Sequence, residues 1–464
     1  MQQLSGQDAA FLYAETPTTP NHVAGVYIYD QSTAPGGLVT FKGILAYLEA
    51  RLQLARTFRE RVVRVPLDLD HPYWIEDECF DLEFHVRHIA LPRPGNWRQL
   101  CIQAARLHAR PLDLNRPLWE MTVVEGLDEV EGLPPGCFAI VWKTHHAAID
   151  GMSGIEMINA VHAAPPGTPD TWKPEPVPPP LPLLARAGVH TVTNPWRASQ
   201  TMARMVPGLP TMARQTWRGD TRPAQVPRTR FNGPVTGHRV FDGRSVPLAE
   251  AKRTKAALPG ATVNDVALAA VGGALRRYLL DKGELPEKPL MAMIPISVRT
   301  EEERSAAGNR VSMMIASLAT DVDDPLERLK AVTASTHQSK LFANAVGARN
   351  LTELSQYVPG LLIGLGSRAL GSRALGRVPL RVPFNTTVTN VPGSQVPLYF
   401  AGARMVASYG MGPIVHGMGL INIISSYAGS FIFSFTACRE MMPDPAFYAA
   451  CFEDSFQDLV KVAG

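Results

Sequence analysis

The clearest change of hydrophobic periodicity in the chain lies between residues 138 and 161. Over residues 138–144 (FAIVWKT), large β-branched and aromatic side chains occupy every second position, which predicts a β-strand. From residue 152 onwards, apolar residues recur every three positions, as Met152, Ile155, Ile158 and Val161. This second pattern predicts a helix with Ser153 as its N-cap. The segment therefore reads as a strand, a short turn and a helix.

Two histidines stand where the predicted strand ends. Continuing the alternation places His146 on the face of Ile140, which we expect to be buried. The same alternation places His145 on the opposite face with Lys143. Imidazole is the side chain whose ordinary pKa lets it accept a proton near neutral pH, so a histidine at this point suits general-base chemistry.

Asp150 follows His146 by four residues and leaves two interpretations open. One is a catalytic base with a supporting carboxylate. The other is a core histidine beside an aspartate that caps a helix, because a single HxxxD spacing is common by chance. A metal site fits less well, since a His and an Asp four residues apart share a face only on a helix. No second cluster of ligand residues occurs elsewhere in the sequence, so we expect no metal.

Helices and strands alternate through both halves of the chain. In the first half the pattern predicts helices at 4–15, 41–54 and 97–109, and extended segments at 22–29, 58–66, 71–75, 82–89 and 121–125. In the second half it predicts helices at 245–257, 262–280, 325–342 and 445–462, and strands at 289–298, 311–321, 384–391, 420–426 and 430–435. The helix at 262–280 has the strongest signals, because Thr262 and Asp265 form a capping box ahead of an apolar stripe.

Residues 164–182 (APPGTPDTWKPEPVPPPLP) are too rich in proline to form a packed element and predict an extended connection. Broken helices are predicted next, over residues 183–219. A chain of 464 residues is too long for one core. We therefore predict two α/β domains, at 1–165 and 229–464, joined by a linker at 166–228.

Composition excludes several classes of protein. The net charge is +3 and no nucleic-acid motif accompanies the arginines, so we expect no nucleic-acid partner. The five cysteines are scattered without CxxC spacing, which suggests a reducing compartment and no disulfide framework. The first residues lack the apolar segment of a signal peptide, and no apolar run reaches about 18 residues, the length that predicts a transmembrane helix.

Six further motifs accompany the doubled histidines. In chain order they are LSGQDAAFLYAE with PNHVAG (4–25), RPLWE (116–120), TVNDV (262–266), IPISVR (294–299), GNRVS (308–312) and TNVPGS (389–394). Together with HHAAIDG at 145–151, these motifs resemble the bacterial wax ester synthase/acyl-CoA:diacylglycerol acyltransferases. That family belongs to the chloramphenicol acetyltransferase-like superfamily of CoA-dependent acyltransferases. The resemblance covers nearly the whole chain.

Two positions depart from the family pattern. Asn21 stands where the family usually has methionine, in the signature that precedes the first predicted strand. The block MGPIVHGMGLIN (411–422) lacks the acidic residue expected there, which affects the acceptor side of the site more than the chemistry.

The resemblance implies a fold of two chloramphenicol acetyltransferase-like α/β sandwich domains with mixed sheets. The Pro-rich and partly helical linker would join them, and the first domain would carry HHxxxDG.

A reaction is implied as well: an O-acyltransferase that moves a long-chain acyl group from acyl-CoA to a fatty alcohol or diacylglycerol. Acyl-CoA is then a substrate, and no cofactor is expected. His146 would take the proton of the hydroxyl, whose oxygen attacks the thioester without a covalent acyl-enzyme. His145 would orient or pack, Asp150 would hold the turn by pairing with Arg299, and Gly151 would permit a tight turn.

Other motif residues have structural explanations beside functional ones. The expected supports of the site are Arg299, Trp119 and Glu15, and the expected substrate-channel residues are Asn264, Asp265, Thr389 and Asn390. Trp119 is expected to pack beneath the site, because aromatic residues dominate cores. For Asp265 the capping box is a sufficient structural explanation, but a functional role stays open, and Arg299 would also fit an exposed strand end. The oxyanion donor stays open between a backbone N–H near Gly151 and a side chain such as Asn264.

Arginines concentrate in two segments. Residues 354–439 contain six arginines and no Asp or Glu, and residues 186–230 contain eight arginines among Trp and Met. This composition is typical of a membrane-surface segment. A basic face that packs on the other domain or binds CoA phosphates is the alternative. We expect a cytoplasmic protein associated peripherally with the inner membrane or with lipid inclusions.

Two rival functions remain at this point. One is an acyltransferase of the same superfamily with another acceptor, such as a polyketide alcohol or a carrier-protein thioester. The other is a lipid- or CoA-binding protein without catalysis, against which the intact HHAAIDG argues. The oligomeric state, a homodimer included, is left open.

Overall fold

The structure, a computed structural model, describes residues 1–149, 153–162, 174, 176–205, 226–297, 311–346 and 383–463. Within them the α-helices are α1 (Gly6–Ala14), α2 (Phe41–Glu49), α3 (Leu82–His85), α4 (Trp97–Ala109), α5 (Ser153–His162), α6 (Pro180–Met205), α7 (Leu248–Ala256), α8 (Val263–Asp281), α9 (Pro325–Val346) and α10 (Pro445–Ala463). The strands of the first half are β1 (Gln2–Gln3), β2 (His22–Asp30), β3 (Glu60–Val63), β4 (Tyr73–Glu76), β5 (Val86–Ala90), β6 (Trp119–Glu125) and β7 (Phe138–His145). Those of the second half are β8 (Arg239–Pro247), β9 (Met291–Ser297), β10 (Val311–Ser317), β11 (Thr386–Pro392), β12 (Tyr399–Phe400), β13 (Ala403–Met411), β14 (Leu420–Tyr427) and β15 (Ser430–Cys438).

A mixed six-stranded sheet in the order β12-β13-β2-β7-β6-β5 carries the two histidines. Strands β5 and β6 run parallel, and the other neighbours are antiparallel. Alternate residues of β7 face two separate cores. Ile140 and Trp142 join the core beneath α5, while Ala139 and Val141 join the core against α4. Because both faces are covered, all eight residues of β7 are buried.

The second large sheet has the order β10-β9-β11-β14-β15-β8. It is also mixed, since β11 runs parallel to both β9 and β14. Helix α8 lies against it with a run of small side chains, and a Cβ at Gly272 would collide with the backbone carbonyl of Leu318. Helix α10 packs beside α8 and adds aromatic side chains such as Phe452, which stacks on Phe433. The two sheet-rich units match the mixed α/β architecture expected from the sequence.

A small sheet, β1-β4-β3, separates α1 from α6. Val62 and Trp74 lie in the cluster that contains α1, whereas Val63 and Tyr73 lie in the cluster that contains α6. Side chains of consecutive strand residues point to opposite faces, so the sheet has α1 on one side and α6 on the other.

The first large sheet takes strands from both halves of the chain. Strand β13, from the second half, pairs with β2 along its length and also contacts β15 of the second sheet. The side chain of Trp97 on α4 donates to the Asp242 carboxylate on β8, at 2.8 Å. The division into 1–165, 166–228 and 229–464 stays a prediction, but residues 399–411 do complete the sheet of the first half.

Several predicted elements are wrong in part. Residues 82–85, predicted as extended, form the one-turn helix α3, because the Asp81 carboxylate caps it by accepting from the Glu83 N–H. Residues 245–247, predicted as the start of a helix, belong to β8, because they pair with β15. Broken helices were predicted over 183–219, but residues 180–205 form the continuous helix α6. The strands β12 and β13 were not predicted.

No helix among the described residues is long and apolar enough to cross a membrane.

Candidate active site

The end of β7 is fixed from both sides by backbone hydrogen bonds. The N–H of His145 donates to the Leu118 carbonyl, at 2.9 Å, next to β6. The N–H of His146 donates to the Asn21 carbonyl, at 2.8 Å, next to β2. The two histidines are therefore tied to different neighbouring strands, and the chain then enters a 3₁₀ turn at His146–Ala148.

His145 is completely buried, and both of its ring nitrogens are hydrogen-bonded. Its Nδ1 accepts from the N–H of Ala147, at 3.0 Å. A nitrogen that accepts carries no proton, so the proton of neutral His145 is on Nε2. Nε2 donates to Oε2 of Glu15, at 2.6 Å. Glu15 thus fixes both the tautomer and the ring orientation of His145, and through Ala147 it holds the turn.

His146 lies in the turn rather than in the strand and is half-buried. Its ring stacks on Phe11, with the centroids 3.9 Å apart and the planes 15° from parallel. Nδ1 is buried without a hydrogen-bond partner among the described residues. Burial lowers the pKa of His146 to about 4, with a smaller lowering from His145 and a smaller raising from its own carbonyl. The imidazole is therefore neutral at pH 7 and able to accept a proton.

The face of β7 that carries His145 and Lys143 is buried as well, although the sequence analysis expected burial only of the face that carries Ile140. Lys143 is only 3% exposed. Its ammonium group lies 3.2 Å from the Glu120 carboxylate and donates to the carbonyls of Leu107 and Arg110. Helix α4 supplies those carbonyls at its C-terminal end, where a cation is favoured. The sequence could not show that a helix covers this face.

Helix α1 forms the wall opposite the turn. Its residues Ala9 and Leu12 pack in one cluster with Ala147 and Ala148 of the turn. Ser5 caps the start of the helix by accepting from the N–H of Asp8, at 3.1 Å. This packing brings Phe11 and Glu15 to the two histidines.

Trp119 is fully buried beside the histidine strand, as expected of a packing residue. It pairs with Thr144 in the register of β6 and β7. Its indole N–H donates to the Phe58 carbonyl, at 2.9 Å, and its ring stacks on His85.

A second group of motif residues meets at the start of α8. The side-chain amide of Asn390 donates to the side-chain oxygen Oδ1 of Asn264, at 3.2 Å. Asp265 forms the predicted capping box with Thr262 and also accepts from the hydroxyl of Thr336, at 2.7 Å. Thr389 is half-buried on β11, next to Asn390.

Asp150, Gly151 and Arg299 lie outside the described residues. Ser153 is the first residue of α5, and the position before it is not described. Among the described residues, no group of three or more His, Cys, Asp and Glu side chains could hold a metal ion.

Comparison with known families decides the identity. The wax ester synthase/diacylglycerol acyltransferase catalytic domain matches residues 4–267, and the WS/DGAT C-terminal domain matches residues 307–460. The chain belongs to the wax ester synthase/diacylglycerol acyltransferase family. It is therefore an acyltransferase, as the motifs around HHAAIDG predicted.

Relatives of this acyltransferase match over 95% or more of its length. A probable diacylglycerol O-acyltransferase of Mycobacterium tuberculosis is 32% identical over 474 residues, which cover all of both chains. A Mycobacterium bovis protein provisionally named as a diacylglycerol O-acyltransferase is 36% identical over 462 residues, covering 95% of this chain and 87% of that one.

Solved structures confirm the fold of this acyltransferase. The wax ester synthase/diacylglycerol acyltransferase of Marinobacter aquaeolei VT8 superposes with a TM-score of 0.69 at 28% identity, covering the whole of both chains. The starter condensation domain of rhizomide synthetase, in complex with C8-CoA and Leu-SNAC, gives a TM-score of 0.53 at 14% identity, covering 100% of this chain and 94% of that one. The second likeness shows the fold alone, the chloramphenicol acetyltransferase-like fold that the resemblance implied.

Two residues of the acyltransferase site escaped the sequence analysis. Phe11, which stacks on His146, gave no signal of its own within an apolar helix. Asn21 was noticed only as a departure from the family signature, yet its carbonyl holds the N–H of His146.

Proposed function

We propose that this acyltransferase transfers a long-chain acyl group from acyl-CoA to the hydroxyl of a fatty alcohol or of diacylglycerol. The products would be a wax ester and triacylglycerol. The observation that carries the proposal is the neutral, half-buried His146 at the end of β7. The names of the relatives, which include both wax ester synthase and diacylglycerol acyltransferase, support the two acceptors.

His146 acts as the general base. Because Nδ1 is buried, Nε2 is the nitrogen that accepts the proton of the acceptor hydroxyl. The hydroxyl oxygen attacks the carbonyl carbon of the thioester, and a tetrahedral oxyanion forms. Its collapse breaks the C–S bond, and the CoA thiolate leaves and takes the proton from His146. The ester and CoA are the only products, and no acyl-enzyme forms. A base of this kind contributes about 10²- to 10⁴-fold in rate.

The surrounding residues hold this base in place. Glu15 and His145 orient the turn, as their hydrogen bonds suggest. Asp150, Gly151 and Arg299 lie outside the described residues, and the roles that the sequence analysis predicts for them stay predictions. Trp119 supports the strand from beneath. Asn264, Asp265, Thr389 and Asn390 line the substrate channel at the other domain.

Release of CoA from palmitoyl-CoA, detected with a thiol reagent, tests the function. We expect release that depends on added hexadecanol or diacylglycerol and yields the corresponding ester on a thin-layer plate. If CoA is released with neither hexadecanol nor diacylglycerol, the proposal is contradicted. Release with a different alcohol would then favour an acyltransferase with another acceptor, and no release with any alcohol would favour a lipid- or CoA-binding protein.

We also propose that α6 and the turn before β4 contact an anionic membrane or lipid-droplet surface. The inner face of α6 is filled, because Leu183 and Ala187 pack against Val65 and Tyr73. The outer face carries the apolar residues Leu181, Ala185, Gly188, Val189 and Val192, and Arg186 is exposed on the same helix. A helix with apolar side chains on its outer face needs a partner for them.

The turn at 66–69 extends this apolar surface. Leu67 sits at the tip with a positive φ of 61°, next to α6. Leu67, Leu181, Val189 and Val192 are between 61% and 80% exposed. Helix α6 contains three arginines and no acidic residue over 180–205, which complements an anionic lipid surface. This charge favours lipid over a neutral protein partner.

Flotation with liposomes tests this surface. We expect binding to phosphatidylglycerol vesicles that falls about tenfold or more in the triple variant Leu67→Ser, Val189→Ser, Val192→Ser, because each burial in lipid contributes about 1.5–3 kcal/mol when complete. Leu280→Ser is the matched control, since Leu280 is an exposed apolar residue on α8. A triple variant that floats like the wild type would show that this surface does not bind lipid.

A further inference from the structure

The site contains a polar link that the reaction itself does not use. Asn21 is only 3% exposed, and its side-chain amide donates to the carbonyl of Phe11, at 2.9 Å. Phe11 lies in the last turn of α1, where the final four carbonyls have no partner within the helix. Asn21 therefore caps α1 from outside, at the residue whose ring covers His146.

The main chain of Asn21 reaches the same histidine by a different route. Its carbonyl accepts the N–H of His146, at 2.8 Å. One residue thus holds the backbone of His146 directly and holds the ring partner of His146 through its side chain. The two contacts fix the distance between α1 and the 3₁₀ turn.

The ring of His146 has few other restraints. Nδ1 has no hydrogen-bond partner among the described residues, whereas both ring nitrogens of His145 are engaged. A general base must be held in the geometry that meets the hydroxyl proton. For His146, the stack on Phe11, with the ring centroids 3.9 Å apart, is the aromatic contact among the described residues that restrains the plane of the ring.

We propose that Asn21 is a positioning residue that fixes Phe11 against His146 and so sets the orientation of the catalytic imidazole. The inference rests on the proposed role of His146 as general base. It assigns a role to the residue at which this chain departs from its family signature. The methionine side chain has no N–H, so a chain with methionine at this position lacks the side-chain link to the Phe11 carbonyl.

A double-mutant cycle tests the proposal by kinetics. We expect Asn21→Met to lower kcat for CoA release about 5- to 20-fold with KM for acyl-CoA unchanged, because small misplacements of a base act on the chemical step. Phe11→Leu, which removes the planar ring, should have a similar or larger effect, and Phe11→Tyr should restore activity. Because Asn21 acts through Phe11, the double variant should fall within about twofold of Phe11→Leu alone.

A measurement on the ring itself separates this inference from the proposed function. In protein labelled with ¹³C-histidine, the His146 signal is assigned by its loss in His146→Ala. The stacked ring of Phe11 should displace this signal in the wild type. The displacement should change in Asn21→Met and vanish in Phe11→Leu. If the wild type shows no acyl transfer but the His146 signal changes as expected in the variants, the proposed function is wrong and the positioning role of Asn21 is retained.

One control and one alternative variant complete the test. The control Asn232→Met removes a structural amide that bridges the carbonyls of Asn385 and Gly417, and it should lower the melting temperature without changing kcat. Asn21→Ala also removes the side-chain link to Phe11 and replaces Asn21→Met in the test if the methionine variant is unstable. The inference is overturned if the Asn21 variants leave kcat and the His146 signal unchanged, or if the losses at Asn21 and Phe11 simply multiply.

Discussion

Replacing His146 by alanine is expected to lower kcat by about 10²- to 10⁴-fold, the contribution of a general base. This corresponds to about 3–5 kcal/mol of transition-state stabilisation. The fold should survive, because His146 is half-buried and its backbone N–H still donates to Asn21 in the variant. The KM for acyl-CoA should change little, since no step before proton transfer uses the imidazole. Steady-state CoA release with hexadecanol measures both constants.

His337→Ala provides the matched control, because His337 is an exposed histidine on α9. It should retain full activity in the same assay. If His146→Ala keeps more than about a tenth of the wild-type kcat, His146 is not the general base. The rate enhancement that it contributes would then be smaller than general-base catalysis usually provides.

The pH profile gives a second reading of the same residue. Because burial lowers the pKa of His146 to about 4, the acid limb of kcat/KM should lie near pH 4 rather than near the ordinary 6.5. Burial also lowers the pKa of His108 to about 3 and of His162 to about 4. These histidines bind protons in the unfolded chain as the pH falls through about 6.5, but not in the folded chain. The folding stability therefore declines as the pH falls from 6.5 to 4. Circular dichroism at each pH measures the folded fraction, so that a loss of activity is not confused with unfolding.

Replacing Glu15 by alanine is expected to lower kcat by about 10- to 100-fold, because the turn that carries His146 loses its anchor. The Nε2–H of His145, which is fully buried, would lose its acceptor. A buried donor without a partner costs about 1–3 kcal/mol, so the melting temperature should also fall. Kinetics and thermal unfolding of the same preparation measure the two effects.

Glu15→Gln separates charge from hydrogen bonding. Its amide oxygen still accepts from His145, so the loss in kcat should be smaller than in Glu15→Ala. Glu131→Ala, a change at an exposed carboxylate, should affect neither activity nor stability. If Glu15→Ala unfolds at a lower temperature but keeps its kcat, then Glu15 supports the fold and does not position the site.

Much of the fold follows from local signals. The helix predicted at 97–109 occupies those residues, and the capping box predicted at Thr262 and Asp265 is formed. Where the sequence analysis was wrong, distant residues decide the structure. Residues 245–247 become a strand because β15 pairs with them. Strand β13 was missed because its partner β2 lies more than 370 residues earlier in the chain.

The site divides in the same way. The doubled histidine could be found from its spacing, and Glu15 from its place in a motif. The contact of Glu15 with His145 could not, because it depends on how α1 packs against the 3₁₀ turn. The burial of Lys143 could not be predicted either. The helix that covers Lys143 binds its ammonium group through backbone carbonyls, which every residue type provides and which therefore leave no signal in the sequence. The roles of residues 150, 151 and 299 at the site stay predictions.

The position of β13 in the first sheet has a consequence for synthesis of the chain. Strand β2 is paired along one edge by β7, but its other edge stays unpaired until β13 (Ala403–Met411) has been synthesised. At roughly 5–20 residues per second, the ribosome needs about 20–75 s to deliver that strand after β2 has emerged. During this interval the nascent chain presents an open, apolar strand edge, which is a template for pairing with other chains. The first half of the enzyme is therefore the segment in which chaperones would be needed during translation, and a fragment that ends before residue 399 would keep that edge open permanently.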